Sequence, residues 1–121
     1  MEVHFREWHP RRYVLNEKGD PALEPDLEKW ADWMQDPEHV ILAQVKIEPH
    51  WFLSTVFLGM DYRFSCAPAT PILWETMIWE KDADCYQDRC SGSLEQAEAM
   101  HERALRLLLG HYLLRAATGL T

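Results

Sequence analysis

The chain has 121 residues, with 12 Lys and Arg against 20 Asp and Glu, giving a formal charge of −8, and 47% of it is apolar. That length suits one domain burying roughly two-thirds of its extended surface, and six tryptophans can build a core without metal or disulfide staples. The acidic balance argues against a direct grip on nucleic acid. No apolar run approaches the roughly 18 residues of a membrane span, and Met1-Glu2-Val3-His4-Phe5-Arg6-Glu7 lacks a signal peptide's pattern. The expectation is a soluble cytoplasmic protein without a cofactor. Three cysteines cannot all pair within the chain, so free thiols are expected.

Residues 1–10 read as a loosely attached arm, and Arg12-Tyr13-Val14-Leu15 as a short strand. Asn16 to Pro21 is turn chemistry, with Gly19 suited to positive φ and Pro21 expected to stop a ladder. Asp26 is placed to cap a helix over 27–35 whose inward set is Leu27, Trp30, Ala31, Trp33 and Met34, and Pro37 should end it. Val40 to Ile47 alternates in the manner of a half-buried strand, and Trp51 to Leu58 supplies its hairpin partner. After a loop from Asp61 to Thr70, Ile72 to Trp79 is apolar on both sides apart from Glu75 and Thr76, as a central strand should be. Lys81 to Cys90 reads as a polar loop or a short strand at Cys85-Tyr86-Gln87. Ser93 and Gln96 form a capping box for a last helix with Leu94, Ala97, Met100 or His101, Ala104, Leu107 and Leu108 inward. Residues 110–121 are either a helical extension past Gly110 or a frayed tail. The order β-α-β-β-β-α predicts a single α+β domain: an antiparallel sheet of three to five strands packed against two helices.

The strings Ser54-Thr55-Val56-Phe57-Leu58-Gly59-Met60-Asp61 and Pro71-Ile72-Leu73-Trp74-Glu75-Thr76-Met77, preceded by Gly19-Asp20-Pro21 and Trp30-Ala31-Asp32-Trp33, resemble a family of small uncharacterised proteins encoded by tailed phages and prophages. The resemblance spans about Tyr13 to Arg103. Cys90 replaces the usual tyrosine and Met100 the usual glycine. It implies a phage accessory protein acting in the cytoplasm of an infected or lysogenic bacterium, and it carries no activity.

Several residue sets invite chemistry. Asp61, Glu75 and His101 could serve a small metal-dependent hydrolase. The structural alternative, with Glu75 paired to Arg89 or Arg103 and Asp61 capping a turn, carries more weight, so no catalytic residue is assigned. Cys85 and Cys90 are the metal candidates, but one irregular pair without a second does not make a zinc site. Charge is the better guide. Between positions 17 and 38, eight acids face two lysines, and Glu28, Asp32 and Asp36 fall on the outer side of the first helix. That face suits a host protein with a basic surface, such as a nucleoprotein or nuclease of a CRISPR-type defence, with Trp8 and Trp51 beside turns as added contacts. The alternatives are a solvated face that keeps the protein soluble and a virion assembly component. Leu109, Tyr112 and Leu113 widen the apolar side of the last helix and suggest a homodimer.

Overall fold

The computed structural model describes residues 11–61, 71–81, 83–91 and 93–118, with the backbone alone at 83–85, 91 and 112–118. The fold is α+β. Strands β1 (Tyr13–Leu15) and β2 (Pro21–Leu23) form a two-stranded antiparallel sheet. Helices α1 (Leu27–Met34) and α2 (Pro37–Val40) lead into a four-stranded antiparallel meander of β3 (Ile41–Ile47), β4 (Trp51–Phe57), β5 (Ile72–Glu80) and β6 (Ala83–Ser91), closed by α3 (Leu94–Thr118).

Local chemistry accounts for these elements. The Asn16 side chain accepts from the backbone N–H groups of Lys18 and Asp20 (2.9 and 3.0 Å) while Gly19 takes φ 81°, so the chain reverses within four residues. The reversal makes a hairpin where a plain turn is expected. Pro21 opens β2 opposite Leu15 instead of stopping a ladder, because the first residue of a two-stranded ribbon can do without its N–H. Asp26 caps α1 by accepting from Lys29 N at 3.1 Å. Pro37 does end α1, but it also starts α2: Asp36 accepts from Glu38 N at 2.9 Å, and proline at the first helical position gives up no needed donor. Val40 is therefore helical, and the strand begins at Ile41.

The pairing register sets the two faces of the large sheet. Ala43, Val45 and Ile47 lie beside Thr55, Leu53 and Trp51, which lie beside Thr76, Ile78 and Glu80. On the other face Lys46, Phe52 and Trp79 form one row and Gln44, Ser54 and Met77 another. β5 is flanked on both sides, as its apolar composition implies, and β6 runs for nine residues where a loop or short strand is expected. Its polar sequence hides a strand because an edge strand needs one apolar face at most.

The helix α3 packs on the first face. Trp33 and Met34 of α1, Ala97 and Met100 of α3 and Tyr13 of β1 meet Phe57, Leu73 and Trp74 in one cluster. A second cluster joins Ala104 and Leu108 to Trp51, Leu53 and Ile78 nearer the β3–β4 turn. Two residues expected inward are not: Leu27 is 58% exposed and Leu107 is 56% exposed. Leu27 stands in the first turn, before α1 reaches the sheet. Leu107 lies to one side of the line through Ala97, Met100, Ala104 and Leu108. The α1 indole makes the principal tether. Trp30 Nε1–H donates to the carbonyls of Tyr13 (3.1 Å) and Gly59 (3.0 Å), tying β1 to the end of β4. Gly59 is required there: its φ is 72°, and a Cβ would stand 2.6 Å from the Met34 side chain.

α3 continues through Gly110 to Thr118. Its 25 residues span about 37 Å, while the nine of β5 and of β6 span about 30 Å, so the helix is longer than the longest strands. No helix among the described residues is long and apolar enough to cross a membrane.

Candidate functional site

Asp61, Glu75 and His101 are not brought together. Asp61 Oδ1 accepts from Ile72 N at 3.3 Å and so ties the end of the β4 segment to the start of β5. Glu75 lies on the face away from α3, where Oε2 accepts from Arg89 Nε and Gln87 Nε2, both at 2.7 Å. His101 is on the helix that covers the opposite face. Because alternate strand residues point to opposite sides, neighbours Glu75 and Thr76 end in different environments, and it is Thr76 that shares the face of His101.

That face holds a polar row. Thr55 and Thr76, cross-strand partners, share a hydrogen bond between hydroxyls, and the Thr55 hydroxyl also bonds His101 Nδ1 at 2.7 Å. Both threonines are fully buried and His101 is 9% exposed. The row separates the two apolar clusters, and β6 continues it as Asp88, the register partner of Thr76. Asp88 accepts from the Tyr86 hydroxyl at 3.4 Å and lies 3.8 Å from Arg103. Burial pushes the His101 pKa below 6.5, with neighbouring Glu102 opposing the shift. Every polar group named here has a partner. The arrangement is a structural seam, and among the described residues no carboxylate is bonded to the imidazole.

Among the described residues no three His, Cys, Asp or Glu side chains cluster as metal ligands. Cys90 is a free thiol, half-buried, and burial raises its pKa, with Asp88 adding to the effect. A thiol so placed is a poor nucleophile and a poor ligand. The side chain of Cys85 and all of Cys66 lie outside the described residues.

The acids of the 17–38 stretch divide by role. Asp26 and Asp36 are spent on helix caps, and Asp36 also lies 3.7 Å from His39, whose ring stacks on Trp33 at 4.5 Å between centroids. Asp36 is thus a positioning group first, a role that its spacing on the helix face did not reveal. Glu17, Asp20, Glu28, Asp32 and Glu38 are exposed, and among the described residues no ion pair reaches any of them. The Lys and Arg side chains that do pair serve other elements: Lys46 pairs with Glu48, Arg89 with Glu75, Arg103 with Asp88 and Arg106 with Glu102. Glu28 and Asp32 sit on a helix anchored from beneath by Trp30, Trp33 and Met34, so the carboxylates are carried by a rigid base.

Trp51 departs from its expected role. It is 7% exposed, packs in the lower cluster, and meets the ring of His111 edge-on at 5.5 Å. A strand-initial tryptophan faces the core here because β4 enters the sheet with its odd-numbered residues beneath α3. Trp8 lies outside the described residues, as do the side chains of Tyr112 and Leu113. Leu109 is 41% exposed on α3.

One concavity was not foreseen. At the β3–β4 turn end of the sheet, a cleft of about 730 Å³ is bordered by Lys46, Pro49, His50, Trp51, Phe52, Trp79 and Lys81, so it opens beside the uncovered face and reaches the edge of Trp51. The sequence held a signal for it: Phe52 and Trp79 occupy the strand positions that alternate with the buried set.

Compared with protein-family models, curated proteins and solved structures, the chain matches none.

Proposed function

We propose that the chain is a non-enzymatic binding protein whose acidic α1 face docks on a basic surface of a protein partner. The observation that carries this reading is the outward, unneutralised state of Glu28 and Asp32, with Glu17, Asp20 and Glu38 around them, on a helix fixed by the Trp30 double hydrogen bond. A helix backbone already fixed spares the cost of ordering that segment on binding, and a one-signed field speeds encounter with a cationic groove. Following the phage resemblance, the partner is a host defence nuclease or nucleoprotein of CRISPR type, met in the bacterial cytoplasm, whose phosphate-binding lysines and arginines would accept carboxylates in place of phosphates.

A second surface supports self-association. Leu107 and Leu109 are exposed on α3, and the helix is longer than the longest strands. Gly110 has open space where a Cβ would stand, so the fold itself does not demand a residue that costs a helix about 1 kcal/mol relative to alanine. A homodimer along α3 would give that glycine a use.

The test is co-elution of the purified chain with a candidate nuclease complex at two salt concentrations. Glu28→Lys with Asp32→Lys should weaken binding at least about tenfold at low salt and leave the fold unchanged, since both side chains are exposed and neither is a cap. Asp36 is kept intact because it holds α2. Undiminished binding by the double variant would remove the acidic face from consideration.

A further inference from the structure

We infer that the cleft beside the uncovered face binds a small anionic heteroaromatic molecule of the size and charge of a nucleoside monophosphate. The argument begins with strand periodicity. Phe52 and Trp79 are cross-strand partners on the face away from α3, and their rings stack at 5.4 Å between centroids with planes 28° apart. Both remain partly exposed, whereas Trp51, Phe57 and Trp74 on the covered face are buried. The volume of about 730 Å³ falls within the range usual for small-molecule sites, about 300–1,000 Å³.

The border supplies the charge. Lys46 extends the Phe52–Trp79 row on one side. Lys81 flanks it one step nearer the turn, where its backbone N–H donates to the carbonyl of His50 at 2.8 Å. Among the described residues no carboxylate lines the cleft, and Asp84, the register partner of Trp79, continues the row on β6. Among the described residues Lys46 pairs with Glu48 at 3.4 Å, with both side chains at least 70% exposed, a geometry worth little in water. Among the described residues no ion pair engages the Lys81 ammonium. A flat ring can extend the stack while the two ammonium groups meet its phosphate. Two lysines suffice for one phosphate group. A polynucleotide would bring further phosphates to a chain of net charge −8, so the chemistry favours the free nucleotide over a strand.

The experiment is an NMR titration of the full chain with AMP, with adenosine, inorganic phosphate and a ten-residue oligothymidylate as separate arms. Saturable shifts at the Trp79 indole, with AMP binding more tightly than adenosine or phosphate, are expected. Lys81→Gln, an exposed change that leaves the core alone, should weaken AMP several-fold and leave adenosine unaffected. Phe52→Leu should weaken both about tenfold. Absence of a saturable indole shift at millimolar AMP overturns the proposal, as does AMP affinity unmoved by Lys81→Gln. Tighter, steeply salt-dependent binding of the oligonucleotide overturns the preference for a free nucleotide. Glu28→Lys with Asp32→Lys should keep full AMP affinity, so failure of this site and failure of the acidic face are separately visible.

Discussion

The two faces of the four-stranded sheet use polar and aromatic residues in opposite ways. Beneath α3, Trp51, Phe57 and Trp74 are sealed into the core, and the polar groups Thr55, Thr76 and His101 satisfy one another. On the other face, Phe52 and Trp79 stack in partial contact with water, Glu75 binds Arg89 and Gln87, and lysines stand at the margin. Residue type does not decide the role. Along the middle of β5, position relative to a period of two does, as adjacent Glu75 and Thr76 show. The covered face is built for stability, and the uncovered one retains apolar area and charge that a ligand can use.

The largest expected contrast between the faces is in truncation. Trp74→Ala should cost about 3–5 kcal/mol, because a fully buried indole leaves a cavity that its neighbours cannot fill. Met77→Ala, two strand positions beyond Glu75 on the uncovered face, should cost less than about 1.5 kcal/mol. Urea denaturation of both variants gives the comparison, and equal losses would show that something seals the uncovered face as well.

A smaller difference concerns the polar seam. Thr55→Val removes the partner of both His101 and Thr76 in a dry environment and should cost about 1–3 kcal/mol by the same measurement. A loss indistinguishable from zero would mean that the three groups are not mutually dependent.

The smallest effect is in pH. Burial lowers the folded-state pKa of His101 beneath the unfolded value of 6.5, so the unfolded chain takes up the proton first. The stability that His101 contributes is therefore complete above pH 6.5 and declines as pH falls below it. His101→Asn keeps a group able to bond Thr55 and removes the titration. Its stability should vary less between pH 7 and 5.5 than that of the parent chain. Parallel curves would assign the pH dependence to other groups.

Much of the fold was legible in the sequence because it depended on local signals. Asp26 as a cap, Gly19 in the turn, the β3–β4 hairpin and the central place of β5 all follow from residues within a few positions of one another. The readings that missed depended on partners distant in sequence. Pro21 joins a ladder because Leu15 comes back alongside it, and polar β6 is a strand because β5 offers it an edge. The grouping of Asp61, Glu75 and His101 requires a proximity in space that no local signal carries, and the register of β5 separates its last two members. Asp36 looked like a surface acid of α1 until the one-turn helix after it claimed its carboxylate.

What this sequence determined by itself is where chain direction changes and which stretches are amphipathic, since hydrogen bonding and side-chain alternation act over a few residues. Only the tertiary structure decided which face of each strand α3 would cover. That choice rests on which apolar surfaces bury most area together, a property no single segment holds. It put the threonines and the histidine in the dark, and left the Phe52–Trp79 stack and the lysines beside it within reach of solvent.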